Sequence, residues 1–460
     1  AFQPISDFFS KYVFYPIGDY PFVIYLLVGS ALFFTIYFGF PNLKYFWTAI
    51  NVVRGKYDKL EQNDNDSKDG EVSHFQALAT AVSGTVGNGN IAGVALAIAL
   101  GGPGATFWMI VCGLLGMSTK FVECTLGVYY RDVDEDGVVY GGPMYYISKG
   151  LKSKGFKTLG TIAASLFAVF CIGGSFGGGN AAQSNQATIV IKNLFGYEST
   201  FAGAMIGIVL ATLVGVIIIG GIKRIASVTE KVVPFMALLY ILACIYILTI
   251  NFSFIDDAIA LIIREAFNPT AVGVGGIIGV LMVGFQRAAF SNEAGAGSAS
   301  IAHSAVKTKY AASEGLVALL EPFIDTVVIC TMTALVIITF NSTGAFVYGG
   351  DGMGGVMIDG VMYEGAGITQ KAFAQYIPGS DIFLTIAVVL FAVSTMISWS
   401  YYGLQSWKFL FGRGRVADLT YKVLFLMFVV IGAAASMNSI WAFSDAMIFA
   451  MVFPNMLRSN

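Results

Sequence analysis

Long apolar segments recur along the whole chain, and they constrain the fold more than any other feature of the sequence. Hydrophobic residues make up 56% of the chain, and each segment approaches the length of about 20 residues that a helix needs to cross a bilayer. Inside a bilayer every backbone polar group needs a partner within the protein, which a helix provides. The sequence therefore predicts an all-α polytopic membrane protein with 11 spans, near residues 20–43, 75–100, 105–128, 158–191, 200–221, 232–251, 270–300, 313–340, 381–407, 417–435 and 439–457.

The composition excludes several classes of function. Only 12% of the residues are charged, against about 25% in a soluble globular protein. A formal net charge of −2 leaves no basic surface for nucleic acid. All five cysteines lie in apolar segments, so we predict neither a disulfide nor a paired metal site, and we expect no cofactor. Residues 1–19 do not have the basic start and short apolar run of a removable signal peptide.

Lysine and arginine are distributed unevenly between the two sides of the predicted membrane. Of the 26 such residues, 20 fall on one side and four on the other. Cytoplasmic loops are enriched in these residues, so we predict an N-terminus outside the cell and a C-terminus in the cytoplasm. Two connections are long: an acidic stretch at 54–73 inside and a Gly-rich loop at 341–378 outside. We expect an integral protein of the plasma membrane of a bacterium or archaeon, which is the inner membrane in a Gram-negative cell.

Two of the apolar segments are interrupted by glycines and polar residues. Residues 84–90 read Gly-Thr-Val-Gly-Asn-Gly-Asn, and residues 284–297 contain Arg287 and Glu293. The interruptions are five segments apart, and since five is odd they predict two five-helix repeats of inverted topology. Close packing of two glycine-rich helices is the alternative, but it does not explain the asparagines, Arg287 or Glu293. The predicted divisions are an extra N-terminal helix with its loop, the first repeat and the second repeat, at 1–74, 75–251 and 252–460.

The first interruption offers the groups that bind a zwitterion. Its glycines let the backbone leave helical geometry, so carbonyls at the end of the first half-helix can face a cation. Amides that open the second half-helix can face an anion such as a carboxylate. The ending Gly-Lys-Ser/Thr of a nucleotide-binding loop is absent from the heptad. We predict that the amine and carboxylate of an amino acid bind at Thr85, Asn88, Gly89 and Asn90.

The fourth segment contains a second candidate for substrate binding. Phe176, Asn180 and Gln183 fall at i, i+4 and i+7, which predicts one helical stripe facing the cavity. An amide there could hydrogen-bond the substrate without placing a charge in the membrane. Contacts between helices are the alternative, above all for Asn180.

Charged residues inside a membrane are costly and are usually paired. Lys120 and Glu123, at i and i+3, are expected to satisfy each other. Arg287 and Glu293 are expected to hold freed backbone or to close the inner gate. The remaining groups are expected to contact the broken helices or to carry a proton: Glu321, Asp325 and Asp445. His74 and His303 lie at predicted cytoplasmic helix ends, and neither is expected to act as a base or to bind a metal.

Four motifs resemble those of the alanine/glycine:cation symporter family. They are Gly-Thr-Val-Gly-Asn-Gly-Asn-Ile-Ala-Gly at 84–93, Gly-Gly-Pro-Gly-Ala-Thr-Phe-Trp-Met at 101–109, Phe-Ser-Asn-Glu-Ala-Gly-Ala-Gly-Ser at 290–298 and Ile-Ser-Trp-Ser-Tyr-Tyr-Gly at 397–403. The resemblance runs in order from about residue 75 to the end. It implies the LeuT-type fold of two inverted five-helix repeats, with sodium-coupled or sometimes proton-coupled uptake of alanine or glycine. The sequence departs from the usual family pattern at Asn88, Thr106, Ile110 and Ala288.

The resemblance also implies a site for the coupling ion. In LeuT-type carriers this pattern places Na⁺ among the backbone carbonyls of Ser83, Val86 and Phe391 and the hydroxyls of Ser394 and Thr395. Five neutral oxygens suit a singly charged ion, because hard cations prefer oxygen ligands. The alternative is that these hydroxyls bond back to their own helix, as Ser and Thr often do in spanning helices.

A wall of large side chains is expected around the substrate side chain. Trp399 follows Thr395 by one helical turn and so projects from the same face, and in the family a tryptophan at this position borders the substrate. An interfacial anchor is the alternative for a tryptophan, but Trp399 lies deep in its span. We predict a wall of Phe176, Gln183, Phe285 and Trp399.

The expected function is therefore secondary active symport of a small neutral amino acid, alanine or glycine, with Na⁺ by alternating access. A proton-coupled carrier of the same or a somewhat larger amino acid is the nearest alternative. A membrane enzyme would need a nucleophile and base or a pair of carboxylates at one depth, whereas most polar residues here are amides and hydroxyls. A channel would need a continuous polar stripe along several helices and not two local interruptions. The expected partners are the amino acid, Na⁺ and the lipid bilayer.

Overall fold

The computed structural model describes residues 3–18, 20–61, 70–197, 199–269, 276–350 and 352–459. Parts of two predicted elements lie outside the described residues, namely 62–69 of the acidic connection and 270–275 of the seventh segment. The N-terminal part contains one apolar helix, α2, and short helices on either side of it. The elements are α1 (Gln3–Val13), β1 (Pro16–Ile17), β2 (Tyr20–Pro21), α2 (Phe22–Tyr37), α3 (Pro41–Lys44), α4 (Phe46–Val53) and α5 (Asp58–Glu61).

The next part of the chain contains the predicted first repeat, and two of its long helices are modified by π-helical turns. Its elements are α6 (His74–Thr85), a π-helix (Gly89–Gly93), α7 (Val94–Gly101), α8 (Gly104–Tyr129), β3 (Asp132–Val133), β4 (Val139–Tyr140), α9 (Pro143–Ser153), α10 (Lys157–Phe176), a π-helix (Gly177–Ala181), α11 (Ala182–Phe195), α12 (Thr200–Ile218) and α13 (Gly221–Ile250).

The last part contains the second interrupted segment, between α15 and α16, and a third π-helical stretch. Its elements are a 3₁₀-helix (Phe252–Phe254), α14 (Ile255–Phe267), α15 (Gly276–Asn292), α16 (Ala299–His303), α17 (Ala311–Ala318), α18 (Leu320–Pro322), a π-helix (Phe323–Cys330), α19 (Thr331–Phe340), a 3₁₀-helix (Asn341–Thr343), β5 (Gly355–Ile358), β6 (Val361–Glu364), α20 (Ala366–Tyr376), α21 (Ser380–Phe411), α22 (Arg415–Ala434) and α23 (Met437–Ser459).

The long helices confirm a polytopic all-α membrane protein. Among the described residues, 8 helices are long and apolar enough to cross a membrane, and 9 if α6 with Gly89–Gly101, bent by 49°, is one span. Two predicted spans correspond to shorter helices, α2 with 16 residues and α15 with 17. The number of 11 spans and the division into two repeats therefore stay predictions.

The exposed surface of the helices is apolar, as a bilayer requires. Phe201, Ile208 and Leu213 on α12 are exposed although large and hydrophobic, and in water such a surface would mark a binding site. The interior instead contains polar side chains with almost no exposure, including Asn88, Asn90 and Gln183. The polar residues are thus turned inward, where they can line a path.

The segment at 341–378, predicted only as a loop, contains β5, β6 and α20 and covers one end of the first broken helix. Gly349 N donates to Ala99 O at 2.7 Å. Thr369 Oγ1 donates to the π-helical Ile91 O at 3.1 Å. Its composition did not predict this packing, because both contacts are made to backbone carbonyls far away in the chain.

Candidate substrate and ion site between two broken helices

The first broken helix leaves helical geometry where the glycines predicted it. A capping box of Ser73 and Gln76 starts α6, and at Val86 the backbone turns away with ψ of 85°. Asn90 Oδ1 then accepts a hydrogen bond of 2.8 Å from Gly87 N. A Cβ on Gly87 would lie 2.3 Å from Thr395 Oγ1, so only glycine allows α6 and α21 to approach this closely.

Four of the five predicted ion ligands are brought together between α6 and α21. Thr395 Oγ1 donates to Ser83 O at 3.0 Å, and Ser83 Oγ donates to Ser394 O at 2.7 Å. Ser394 Oγ donates to Phe391 O at 3.0 Å. Val86 is fully buried and precedes Gly87, which contacts Thr395. The donor set is neutral and rich in oxygen, which fits a monovalent cation.

At the end of the site where we predict the substrate carboxylate, the side-chain amide of Gln183 accepts a hydrogen bond from the backbone N–H of Asn88. Asn88 N donates to Gln183 Oε1 at 3.0 Å, and Asn88 Nδ2 donates to Gln183 O at 3.2 Å. Gln183 Nε2 donates in turn to Gly178 O at 2.9 Å. Asn88 Oδ1 is buried and has no hydrogen-bond partner in the part of the chain that the structure describes. Asn88 and Gln183 therefore lie together and leave one acceptor unused.

The other predicted residues of the first interruption serve the helices themselves. Thr85 Oγ1 lies 3.3 Å from both Ala81 O and Val82 O in its own helix. Gly89 lies against Ser291 of α15, whose Cα would be 3.3 Å from a Cβ on that glycine.

Asn90 takes part in a buried joint between the two broken helices. Asn90 Nδ2 donates to Asp325 Oδ1 at 2.6 Å. Ser291 Oγ and Thr326 Oγ1 donate to Asp325 Oδ2 at 2.9 and 2.7 Å. Asp325 thus contacts both interruptions, which is one of the two roles expected for it.

Trp399 is held in place by a residue whose role the sequence did not reveal. Its Nε1 donates to Glu293 Oε1 at 2.8 Å, and Ser298 Oγ donates to the other carboxylate oxygen. The ring packs so closely on Gly179 that an added Cβ would lie 2.2 Å from its Cγ. Glu293 has φ of 55° at the end of α15, a conformation that is uncommon outside glycine. An acidic residue with glycines after it in an apolar segment was the available signal.

Phe176 does not join this cluster, which corrects the predicted stripe. Its ring stacks on Phe428 with centroids 4.6 Å apart and on Tyr421 at 5.6 Å. Asn180 also faces α22, since its Nδ2 donates to Phe425 O at 2.7 Å. The π-helix Gly177–Ala181 adds a residue to the turn, and therefore the i, i+4, i+7 spacing no longer describes one face.

Phe285 is also placed elsewhere than in the predicted wall. It packs in a separate apolar cluster with Val23, Ala289 and Phe449, and its ring lies 6.3 Å from that of Trp108. Periodicity could not distinguish this face of α15 from the one that carries Ser291.

The pairing of Lys120 with Glu123 is wrong. Lys120 Nζ instead donates to Glu321 Oε1 at 3.0 Å, and Glu123 Oε1 accepts from Asn455 Nδ2 at 2.6 Å.

The second group of charges lies around Arg287. Arg287 forms an ion pair with Asp445, and its guanidinium lies 5.6 Å from the rings of Phe290 and Trp441. The carboxylate and the two aromatic rings stabilise this buried charge, and the expected role of Arg287 in holding freed backbone or closing the inner gate stays a prediction.

Comparison with known proteins agrees with this geometry. Residues 6–458 match the Sodium:alanine symporter family. The sodium/alanine symporter AgcS of Methanococcus maripaludis is 39% identical, with 95% of this chain and 90% of that protein covered. The amino-acid carrier protein AlsT of Bacillus subtilis is 35% identical, with 98% and 87% covered.

Solved structures give the fold. The crystal structure of MhsT in complex with L-phenylalanine superimposes with a TM-score of 0.58 at 14% identity, over 85% of this chain and 89% of that one. The protein thus has the LeuT-type fold, and its family match and its relatives show that it is a transporter and not an enzyme. From its full-length match, the chain belongs to the sodium:alanine symporter family.

Proposed function

We propose that the protein imports alanine or glycine together with Na⁺ across the plasma membrane. The observation that carries this proposal is the pair Asn88 and Gln183, where a backbone amide of a broken helix points into a buried polar site and meets a displaceable side chain. Named relatives include a sodium/alanine symporter and an amino-acid carrier. A relative named as a probable sodium/glutamine symporter is 33% identical, so glutamine belongs in any substrate panel.

The substrate carboxylate would replace Gln183 Oε1 at Asn88 N. A helix N-terminus favours an anion, and the carboxamide occupies that place only as a neutral substitute. The amine would face the carbonyls that end α6, near Thr85. Trp399, fixed by Glu293, would limit the size of the substrate side chain. Phe176 and Phe285 are left out of this wall because they pack elsewhere.

Na⁺ would bind among the oxygens of Ser83, Val86, Phe391, Ser394 and Thr395. The two hydroxyls now donate to carbonyls of Ser83 and Phe391. A small rotation of each hydroxyl would turn a lone pair toward an ion, and the carbonyls would then share that ion. The ion would thereby tie α6 to α21 and favour the conformation in which the substrate binds.

The N-terminus would lie outside the cell and the C-terminus in the cytoplasm. The support is the 20 of 26 lysines and arginines on one side. The segment with β5, β6 and α20 would then cover the external end of the path.

Transport in proteoliposomes tests the proposal. Counterflow of labelled alanine distinguishes a carrier from a channel, since only a carrier exchanges substrate against its gradient. Uptake is then compared with and without an inward sodium gradient for glycine, alanine, serine, leucine and glutamine. Sodium-stimulated uptake of alanine or glycine is expected. Uptake that is driven by a pH gradient and unaffected by sodium would contradict Na⁺ as the coupling ion. A preference for glutamine would contradict alanine or glycine as the substrate.

A further inference from the structure

Five titratable side chains form a buried network on the side opposite α20. They alternate in type along the network: His74, Glu314, His303, Glu321 and Lys120. Their side chains are 0 to 8% exposed. None of them belongs to the substrate or ion site proposed above.

The Glu314 carboxylate joins the two histidines. His303 Nδ1 lies 2.5 Å from Glu314 Oε1, and His74 Nδ1 contacts Glu314 Oε2. An ionised carboxylate only accepts hydrogen bonds, so both Nδ1 atoms carry hydrogen. This fixes the neutral form of each imidazole as the one with a lone pair on Nε2.

The remaining nitrogen of His303 faces a second carboxylate. His303 Nε2 lies 3.6 Å from Glu321 Oε2, and neither atom has a hydrogen-bond partner among the described residues. With a neutral imidazole, two lone pairs would face each other in a buried site, which is costly. With a proton on Nε2, the His303 imidazolium becomes a charged donor that faces the Glu321 carboxylate as acceptor.

That proton also balances the charges of the network. Lys120 donates to the other oxygen of Glu321 at 3.0 Å, so one positive charge faces two carboxylates. One more proton makes the network neutral, and buried charges persist only when compensated.

Other charged groups near the network are already engaged. Glu123 accepts from Asn455, and Glu293 accepts from Trp399 and Ser298. Arg131 donates to the carbonyls of Ser304 and Val306 at 2.8 and 2.5 Å. Cys124, on the same helix as Lys120, is buried. Within the described residues, the imidazole that faces two carboxylates is that of His303.

The network fastens the first half of the first broken helix, α6, to the second half of the second broken helix, α16. His74 begins α6, His303 ends α16, and Glu314 on α17 contacts both. Beside it, Glu71 N donates to Ala305 O at 2.7 Å and Lys307 N to Val72 O at 2.8 Å. Opening a path on this side would require these contacts to separate.

We propose that His303 binds a proton between Glu314 and Glu321 while α6 and α16 are closed together, and releases it to water when they part. Closing this side of the path then takes up one proton and opening it returns the proton to the same side. The inference uses the proposed transport cycle for its functional role only. The proton itself is detectable in the resting protein.

Nitrogen NMR of isotope-labelled histidine tests the proton directly, because the chain has only 2 histidines. The protein is studied at neutral pH with sodium and alanine, and the His74→Gln variant assigns the signals. The expected result is an imidazolium at His303 with hydrogen on both nitrogens. A neutral imidazole at His303 would overturn the proposal, whether or not the protein transports alanine.

Alanine counterflow tests the gating role, with equal pH on both sides of the liposome from about pH 6 to about pH 8.5. The rate is expected to fall with pH in the unmodified protein, by up to about tenfold per pH unit above the midpoint. His303→Gln should flatten the profile. Glu321→Gln should flatten it too, because a carboxamide can donate to an unprotonated Nε2 while still accepting from Lys120. His74→Gln is the matched control and should retain the pH profile of the unmodified protein.

Every result decides the proposal. A flat profile in both His303→Gln and Glu321→Gln supports it, and an unchanged profile in His303→Gln overturns the gating role even if NMR finds the proton. Should a variant fail to elute as a folded protein, the NMR result on the unmodified protein decides. Absence of alanine counterflow in the unmodified protein would count against the proposed function and not against the proton.

Discussion

Trp399 and Glu293 are joined by a hydrogen bond of 2.8 Å from the indole Nε1 to a carboxylate oxygen. The tryptophan lies on the continuous helix α21, and the glutamate lies at the interruption between α15 and α16. Leaving the donor of such a buried hydrogen bond without an acceptor costs about 1–3 kcal/mol. Movement of the second broken helix therefore also moves the ring that we propose limits substrate size.

Replacement of Trp399 by alanine should admit larger substrates. A difference of one methylene group in an apolar pocket changes the binding free energy by only about 1–3 kcal/mol. Rejection of bulky amino acids must therefore come from steric exclusion by the ring. Competition of alanine uptake by leucine is expected to appear in Trp399→Ala. Phe176→Leu is the control, because Phe176 packs on α22. Rejection of leucine by Trp399→Ala as firm as in the unmodified protein would show that the ring is not the wall.

Glu293 should control selectivity through Trp399. In Glu293→Ala the indole N–H loses its buried acceptor, at a cost of about 1–3 kcal/mol, and the ring is free to turn. Leucine should then compete as in Trp399→Ala. Glu293→Gln keeps an acceptor and should retain selectivity for small substrates. Equal selectivity in both Glu293 variants would show that Glu293 does not control the substrate wall.

Thr395→Ala should weaken the sodium dependence of transport. The change removes one proposed ligand, and a loss of about 1 kcal/mol raises the half-saturating sodium concentration by about fivefold. Ser400→Ala is the matched control, since Ser400 Oγ bonds back to Ile397 O in the same helix at 2.6 Å. Uptake is measured as a function of sodium at fixed alanine. An unaltered sodium curve for Thr395→Ala would reject the assigned site.

Gln183→Ala should weaken the binding of all substrates by a similar factor. We propose that the carboxamide, once the substrate carboxylate has replaced it at Asn88 N, contacts the amino or carboxylate group of the substrate, and this contact does not depend on substrate size. Apparent affinities for glycine, alanine and serine are expected to fall by a common factor of about tenfold. A change in their ratio would instead identify Gln183 as part of the size limit.

The orientation predicts which loops are accessible in intact cells. An epitope tag inserted within 341–378 should bind an impermeant antibody, because that segment is predicted to be external. A tag within 54–73 should bind only after the cells are made permeable. The opposite pattern would reverse the proposed topology.

The interruptions could be predicted from sequence because Gly and Asn weaken a helix inside an apolar segment and free backbone groups that need new partners. The pairings around the interruptions could not be predicted. Lys120 contacts Glu321 and not its helical neighbour Glu123, since the choice depends on how α8 packs on α18. Phe176 faces α22, and a π-helical turn separates it from Gln183. The three consecutive glycines in the sequence did not predict that turn or the change of helix face that it causes. The joint at Asp325 needs side chains from separate parts of the fold.

That joint has a mechanical consequence. Asp325 binds the first broken helix through Asn90 and the second through Ser291, and it lies on the π-helix Phe323–Cys330. The middles of both helices are thereby joined at one point, and separate contacts hold their ends, at His74 and His303 on one side and at Ala99 on the other. If the half-helices on one face of the membrane move, this joint would couple their motion to the half-helices on the other face.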